Sequence, residues 1–144
     1  MLDEPKKKGS GADKARCSGR MTEAQFITFV KNQLRGASWK WFPISETLKK
    51  ARVSKGWYRC AGCDHIVPTT KLVDGKRVKW VSVDHVDPII DPEVGFKSWD
   101  DFINNLFCEE ENLQLLCREC HDGKSSLEKN IAVERRRKEK EDNG

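Results

Sequence analysis

Two C-x-x-C pairs, Cys60/Cys63 and Cys117/Cys120, constrain this chain more than any other feature. Four thiolates in two such pairs can close a tetrahedral zinc site, a structural arrangement that leaves no coordination position open. Residues 64–116 separate the pairs, a longer interval than a zinc ribbon uses. Closure cost grows only logarithmically, so lengthening a loop from about 17 to about 53 residues adds roughly 1 kcal/mol. Structural zinc contributes on the order of 10 kcal/mol in small domains, so the interval does not defeat the site. A redox dithiol is the rival for either pair alone.

A chain of 144 residues with 37% hydrophobic content is sized for one compact domain with a modest core, which a metal staple would support. No apolar run is long enough to span a bilayer, and the charged start lacks the apolar stretch of a secretory signal. The expected setting is the cytoplasm, where six cysteines read as metal ligands or free thiols rather than a disulfide framework. The net charge of +4 is unevenly spread. Basic residues gather in "PKKK" with Lys14, Arg16 and Arg20, and again in "ERRRKEK". Such ends meet polyanions or serve as solvated faces, and the acids Glu134, Glu139 and Glu141 dilute the second run.

The pattern predicts residues 1–20 as a flexible basic arm, 21–56 as a helical extension, 57–140 as the principal domain and 141–144 as a tail. "TEAQFITFVKNQL" opens with a capping box at Thr22 and predicts a helix ending near Gly36. A second short helix is expected after Pro43, and Trp39, Trp41 and Phe42 read as core, with base stacking the functional alternative. Strands are expected in "WYRCAGCDHIVPTTKL" and "KRVKWVSVDHV" around an Asp74-Gly75 hairpin. A helix capped by Ser98, a strand at "NLQLL" and a charged helix from about Lys124 to Lys140 complete an α+β order. Cys17 falls in the arm, Cys108 reads as a small core hydrophobe, and His65 reads as a hydrogen-bonding neighbour of the first pair.

Four sulfurs would leave His121 unused, while Asp84-His85 offers a carboxylate and an imidazole at a strand end. Asp84 and His121 are oxygen and nitrogen ligands suited to a divalent ion with open positions. His85 suits a base near neutral pH, and the Asn112 amide can brace the loop that follows His85. Adjacent side chains on a regular strand face opposite ways, so a shared site at residues 84 and 85 calls for a twist or bulge.

The set Asp84-His85, Asn112 and His121, within "VDHV", "ENLQLLC" and "CRECHDGK", resembles the HNH endonuclease family, and the cysteine pairs resemble its zinc-binding branch. The run "CEEENLQLLCRECHDGKSS" is similar to the small stand-alone HNH proteins of tailed bacteriophages. The resemblance covers roughly Trp57 to Glu128 and departs from the family in the long interval between His85 and Asn112. It implies a ββα-metal (His-Me finger) core with extra N-terminal helices and a four-cysteine zinc site. It also implies a phosphodiester hydrolase of one-metal mechanism, whose products, nicks or double-strand breaks, the motifs leave open. In that reading His85 is the base, Asp84 and His121 hold Mg²⁺ or Mn²⁺, Asn112 orients, and Lys124 holds a neighbouring DNA phosphate. The expected partner is DNA, with no membrane, a monomeric chain, and room for a protein partner that supplies specificity. The alternative is a non-catalytic zinc module that binds nucleic acid or protein, in which Asp-His is incidental, Asn112 is a turn residue and His121 substitutes as a zinc ligand.

Overall fold

The computed structural model describes residues 13–143; the "PKKK" run lies outside them. The chain divides into two units, residues 1–37 and 38–144, so the boundary expected after residue 56 falls inside the second. Among the described residues no helix is long and apolar enough to cross a membrane.

Arg16 and Met21 bridge across a turn, the Arg16 guanidinium pairs with Glu23 at 2.9 Å, and it lies 4.0 Å from the Phe26 ring centre. Helix α1 (Glu23–Ser38) starts at the expected capping box: Gln25 N–H donates to Thr22 Oγ1 at 3.1 Å, and Thr22 N–H donates to Gln25 Oε1 at 2.9 Å. It runs two residues past Gly36, because glycine costs an α-helix only about 1 kcal/mol relative to alanine.

In the second unit, α2 (Phe42–Ala51) carries its proline in the first turn, where the missing N–H costs no hydrogen bond. Strands β1 (Arg52–Ser54), β2 (Trp57–Arg59) and β3 (Ile66–Pro68) form one antiparallel sheet. Strands β4 (Thr70–Val73) and β5 (Lys76–Lys79) form a separate two-stranded ribbon. Asp74 (φ 51°) and Gly75 (φ 76°) both take the left-handed conformation that a two-residue hairpin turn demands. The long strands expected on either side of that turn are therefore broken, at the Cys60–Cys63 knuckle and again at Trp80.

Strand β6 (Val81–His85) pairs antiparallel with β7 (Leu113–Cys117) in unbroken register from Val81↔Cys117 to His85↔Leu113. Between them lies α3 (Trp99–Leu106), where Ser98 Oγ accepts from Asp101 N–H at 3.2 Å. Helix α4 (Arg118–Asn143) follows β7 directly, six residues before the expected start at Lys124. The core comprises Val81, Phe102, Leu106, Leu113, Leu115 and Leu116 together with Cys60 and Cys117. The aromatic cluster before α2 is only partly core. The Trp41 indole N–H donates to Cys108 O at 2.7 Å and its ring meets Phe107 edge-on. Trp39 and Phe42 are 61% and 67% exposed.

Candidate metal centre and the Asp84-His121 cleft

The four expected thiols converge. The Sγ atoms of Cys60, Cys63, Cys117 and Cys120 all lie within 4.8 Å of one another, and those of Cys63 and Cys117 are 4.0 Å apart. A regular tetrahedron with Zn–S bonds of about 2.3 Å has S···S edges of about 3.8 Å, so the set fits zinc with little contraction. Two elements deliver the pairs: the turn between β2 and β3 carries Cys60 and Cys63, and the β7–α4 junction carries Cys117 and Cys120. Ala61 N–H donates to Leu115 O at 2.8 Å and locks the knuckle to β7. Gly62 packs closely on the second pair, since a Cβ there would lie 3.0 Å from Cys120 Sγ and 3.1 Å from its Cβ and would press the cluster by a few tenths of an ångström.

Burial opposes ionisation of Cys60, but N–H donors from Cys117, Cys63 and Gly62 outweigh it and bring the thiol down to about 6. Cys120 moves the other way, to about 12, because its proton is shared with the Cys117 sulfur, burial disfavours charge, and the Cys60 and Cys63 sulfurs lie close. Such a cluster holds its last protons until a cation arrives, and a coordinated thiol is deprotonated outright. Zinc added to the metal-free protein at pH 7.5 is therefore expected to release protons, Cys120's among them. A pH-indicator titration in weak buffer reads this, and no release would show that zinc does not displace the thiol protons. His65 is exposed and outside the sulfur cluster; its carbonyl accepts from Cys60 N–H at 2.9 Å. Cys17 is exposed, and half-buried Cys108 has its thiol pushed up by burial.

The second constellation is assembled on both faces of the β6–β7 pair. Asp84 stands opposite Gln114, whose amide donates to Asp84 Oδ2 at 3.3 Å, and that face meets α4. His121 Nε2 lies 3.9 Å from Asp84 Oδ1, and Lys124 Nζ lies 3.0 Å from Asp84 Oδ2. His121 also approaches Asp122, with Nδ1 3.7 Å from a carboxylate oxygen. Because α4 begins at Arg118, His121 sits in its opening turns and faces the strand instead of a preceding loop.

The register shows no bulge at Asp84 and His85, contrary to the sequence expectation. His85 lies on the opposite face, with Nε2 2.9 Å from Leu106 O at the end of α3. A carbonyl only accepts, so Nε2 carries the proton and Nδ1 of the neutral ring keeps its lone pair. Among the described residues nothing hydrogen-bonds Nδ1.

Asn112 braces the chain just past His85. Its Oδ1 accepts from Asp87 N–H at 2.8 Å, its Nδ2 donates to Asp87 O at 3.3 Å, and its carbonyl accepts from Val86 N–H at 2.8 Å. Lys124, expected to hold a phosphate, has other partners. Its three N–H groups reach Asp84, Glu128 at 2.6 Å and the His85 carbonyl at 2.8 Å, which accounts for every donor an ammonium has. Burial works against its charge, but Glu128 and Asp84 outweigh that and raise its pKa. Lys124 thus ties α4 to the end of β6, a position visible only once the helix start is known.

Searches of protein-family models, curated proteins and solved structures find no match to this chain.

Proposed function

We propose that this chain is a metal-dependent DNA endonuclease whose β6–β7 pair and α4 form a ββα-metal core of the HNH type, stapled by zinc at the four cysteines. The observation that carries the reading is the division of labour at the end of β6: Asp84 turns to His121, while His85 is held by Leu106 O with Nδ1 free. The 3.9 Å between Asp84 Oδ1 and His121 Nε2 is within the span of two metal–ligand bonds of about 2.1 Å each, so the pair fits one divalent ion. Mg²⁺ or Mn²⁺ bound there would supply positive charge to the phosphoryl and leaving oxygens. Asp84 and His85 are neighbours at the strand end, so a phosphodiester laid across that end is reached from both faces. His85 Nδ1 accepts a proton from the attacking water, and the Leu106 carbonyl supports the ring as it becomes charged. Asn112 fixes the backbone that sets the ring's position. Lys124 holds Asp84 in place before the ion binds.

Purified, zinc-loaded protein is expected to convert supercoiled DNA to open-circular or linear forms with Mg²⁺ or Mn²⁺ and to leave it intact when neither ion is added. Zinc-loaded, folded protein that leaves both supercoiled and linear DNA uncut with either ion would favour the second reading, a zinc-stabilised binding module. That alternative draws on the four-cysteine cluster alone.

A further inference from the structure

We propose that the β4–β5 ribbon is the duplex-DNA docking element of this chain, holding phosphates through Lys71, Lys76, Arg77 and Lys79. The inference rests on the nuclease reading and adds the surface that presents the substrate. The ribbon carries four cations and one acid, Asp74, at its turn. Among the described residues none of the four forms an ion pair, and their recorded contacts are to neutral groups. Lys71 lies 4.6 Å from the Trp80 ring centre, Lys79 lies 5.3 Å from that of Trp39, and Arg77 donates to Thr70 Oγ1 at 2.8 Å.

The basic run of α4 looks stronger in sequence but is weaker as a phosphate surface. Residues 134–142 hold five cations against four acids, and Arg135 and Arg137 are bound to Glu139, Glu134 and Glu141. Arg135 is further fixed by the Pro92 carbonyl at 3.0 Å.

Shape and placement agree with charge. A two-stranded ribbon is one of the elements a DNA major groove admits. Register puts Arg77 and Lys79 on one face with exposed Leu72, and Lys71 and Lys76 on the other, so phosphates on both sides of a groove are within reach. At the foot of the ribbon, Lys79 shares a cleft of about 300 Å³ with Arg118, His121 and Asp122. The ribbon therefore rises from the border of the Asp84-His121 site. Exposed Trp39, beneath Lys79, adds an aromatic face of the kind that contacts sugar or an unstacked base.

The test compares K71Q/K76Q/R77Q/K79Q with a tail variant at the two carboxylate-held cations, R135Q/R137Q, both checked for zinc content and circular dichroism. Binding to a fluorescein-labelled 30-base-pair duplex is read by anisotropy across a salt series with the zinc-loaded protein and no added Mg²⁺ or Mn²⁺. Loss of four phosphate contacts reduces the magnitude of the slope of log K against log salt by about 3.6, and affinity is expected to fall at least about 30-fold. The tail variant is expected to stay within about two-fold of the parent. Equal loss in both variants, or an unchanged slope in the ribbon variant, overturns the proposal. With Mg²⁺ or Mn²⁺, the ribbon variant is expected to raise KM and keep kcat at saturating DNA. A fall in kcat with unchanged binding would place these residues in the chemistry and also overturn docking. Binding is read without added Mg²⁺ or Mn²⁺, so failure of the ribbon proposal is distinct from failure of the nuclease reading, which cleavage alone decides.

Discussion

Replacing Cys117 with serine is expected to remove the bound zinc and the cooperative fold together. Cys117 is the last residue of β7, pairs in register with Val81, and donates its backbone N–H to Cys60 Sγ at 3.2 Å, so it stands where the sheet, the knuckle and the start of α4 meet, and its thiol, the group serine removes, is one of the four clustered sulfurs. The buried apolar group around it is small: Cys60, Leu116 and Cys117, with Val67 and Trp80 partly covered. Zinc coordination contributes on the order of 10 kcal/mol in such settings, comparable to the whole stability of a typical domain, roughly 5–15 kcal/mol. Elemental analysis should give about one zinc per parent chain and none in the variant, and the variant's thermal unfolding should lose its transition. A Cys117→Ser protein that melts cooperatively within a few degrees of the parent would show that the apolar core suffices and that the sulfurs are no staple. Strong chelation of the parent should reproduce the variant's behaviour.

What the sequence made legible follows the range of each interaction. The Thr22 capping box, the Asp74-Gly75 turn and the Ser98 cap are local hydrogen-bonding or φ constraints, and each appears where its residues stand. The cysteine pairs were legible because a metal's geometry limits the outcomes. The start of α4 was not. Cys117 precedes it where a serine or aspartate would signal a cap, and Gly123 argues against helix, yet the β7 pairing and the sulfur cluster fix that start. Two partners of the Asp84-His85 site were also hidden, because they are long-range contacts to backbone oxygen. Leu106 O is one of the carbonyls that α3 leaves without an intrahelical donor, and His85 supplies it across a separation of 21 residues. Lys124 reaches the His85 carbonyl across 39. No periodicity encodes either. The ribbon's unpaired charge was obscured for another reason: composition counts cations without showing which already have carboxylate partners.

The two histidines are expected to fail differently. His85→Ala removes the Nδ1 lone pair and leaves Asp84, His121 and the four sulfurs untouched, so the variant should fold, retain zinc, bind duplex DNA and cut at least about 100-fold more slowly, the lower range for loss of a general base. Added Mg²⁺ or Mn²⁺ should recover little, since the missing group is a proton acceptor. His121→Ala removes a nitrogen 3.9 Å from Asp84 Oδ1 and leaves the carboxylate held by Lys124 and Gln114. Its defect should appear as a higher divalent-ion requirement, by at least about 10-fold at half-maximal rate, with part of the activity regained as the ion is raised. Zinc content separates this from the competing role: if His121 belonged to the sulfur site, His121→Ala would lose zinc and fold together, as Cys117→Ser does. Cleavage titrated against Mg²⁺ and Mn²⁺, with bound zinc measured on the same samples, gives both readouts. Full-rate cutting by His85→Ala would remove it from proton transfer, and loss of zinc by His121→Ala would collapse the two proposed metal sites into one.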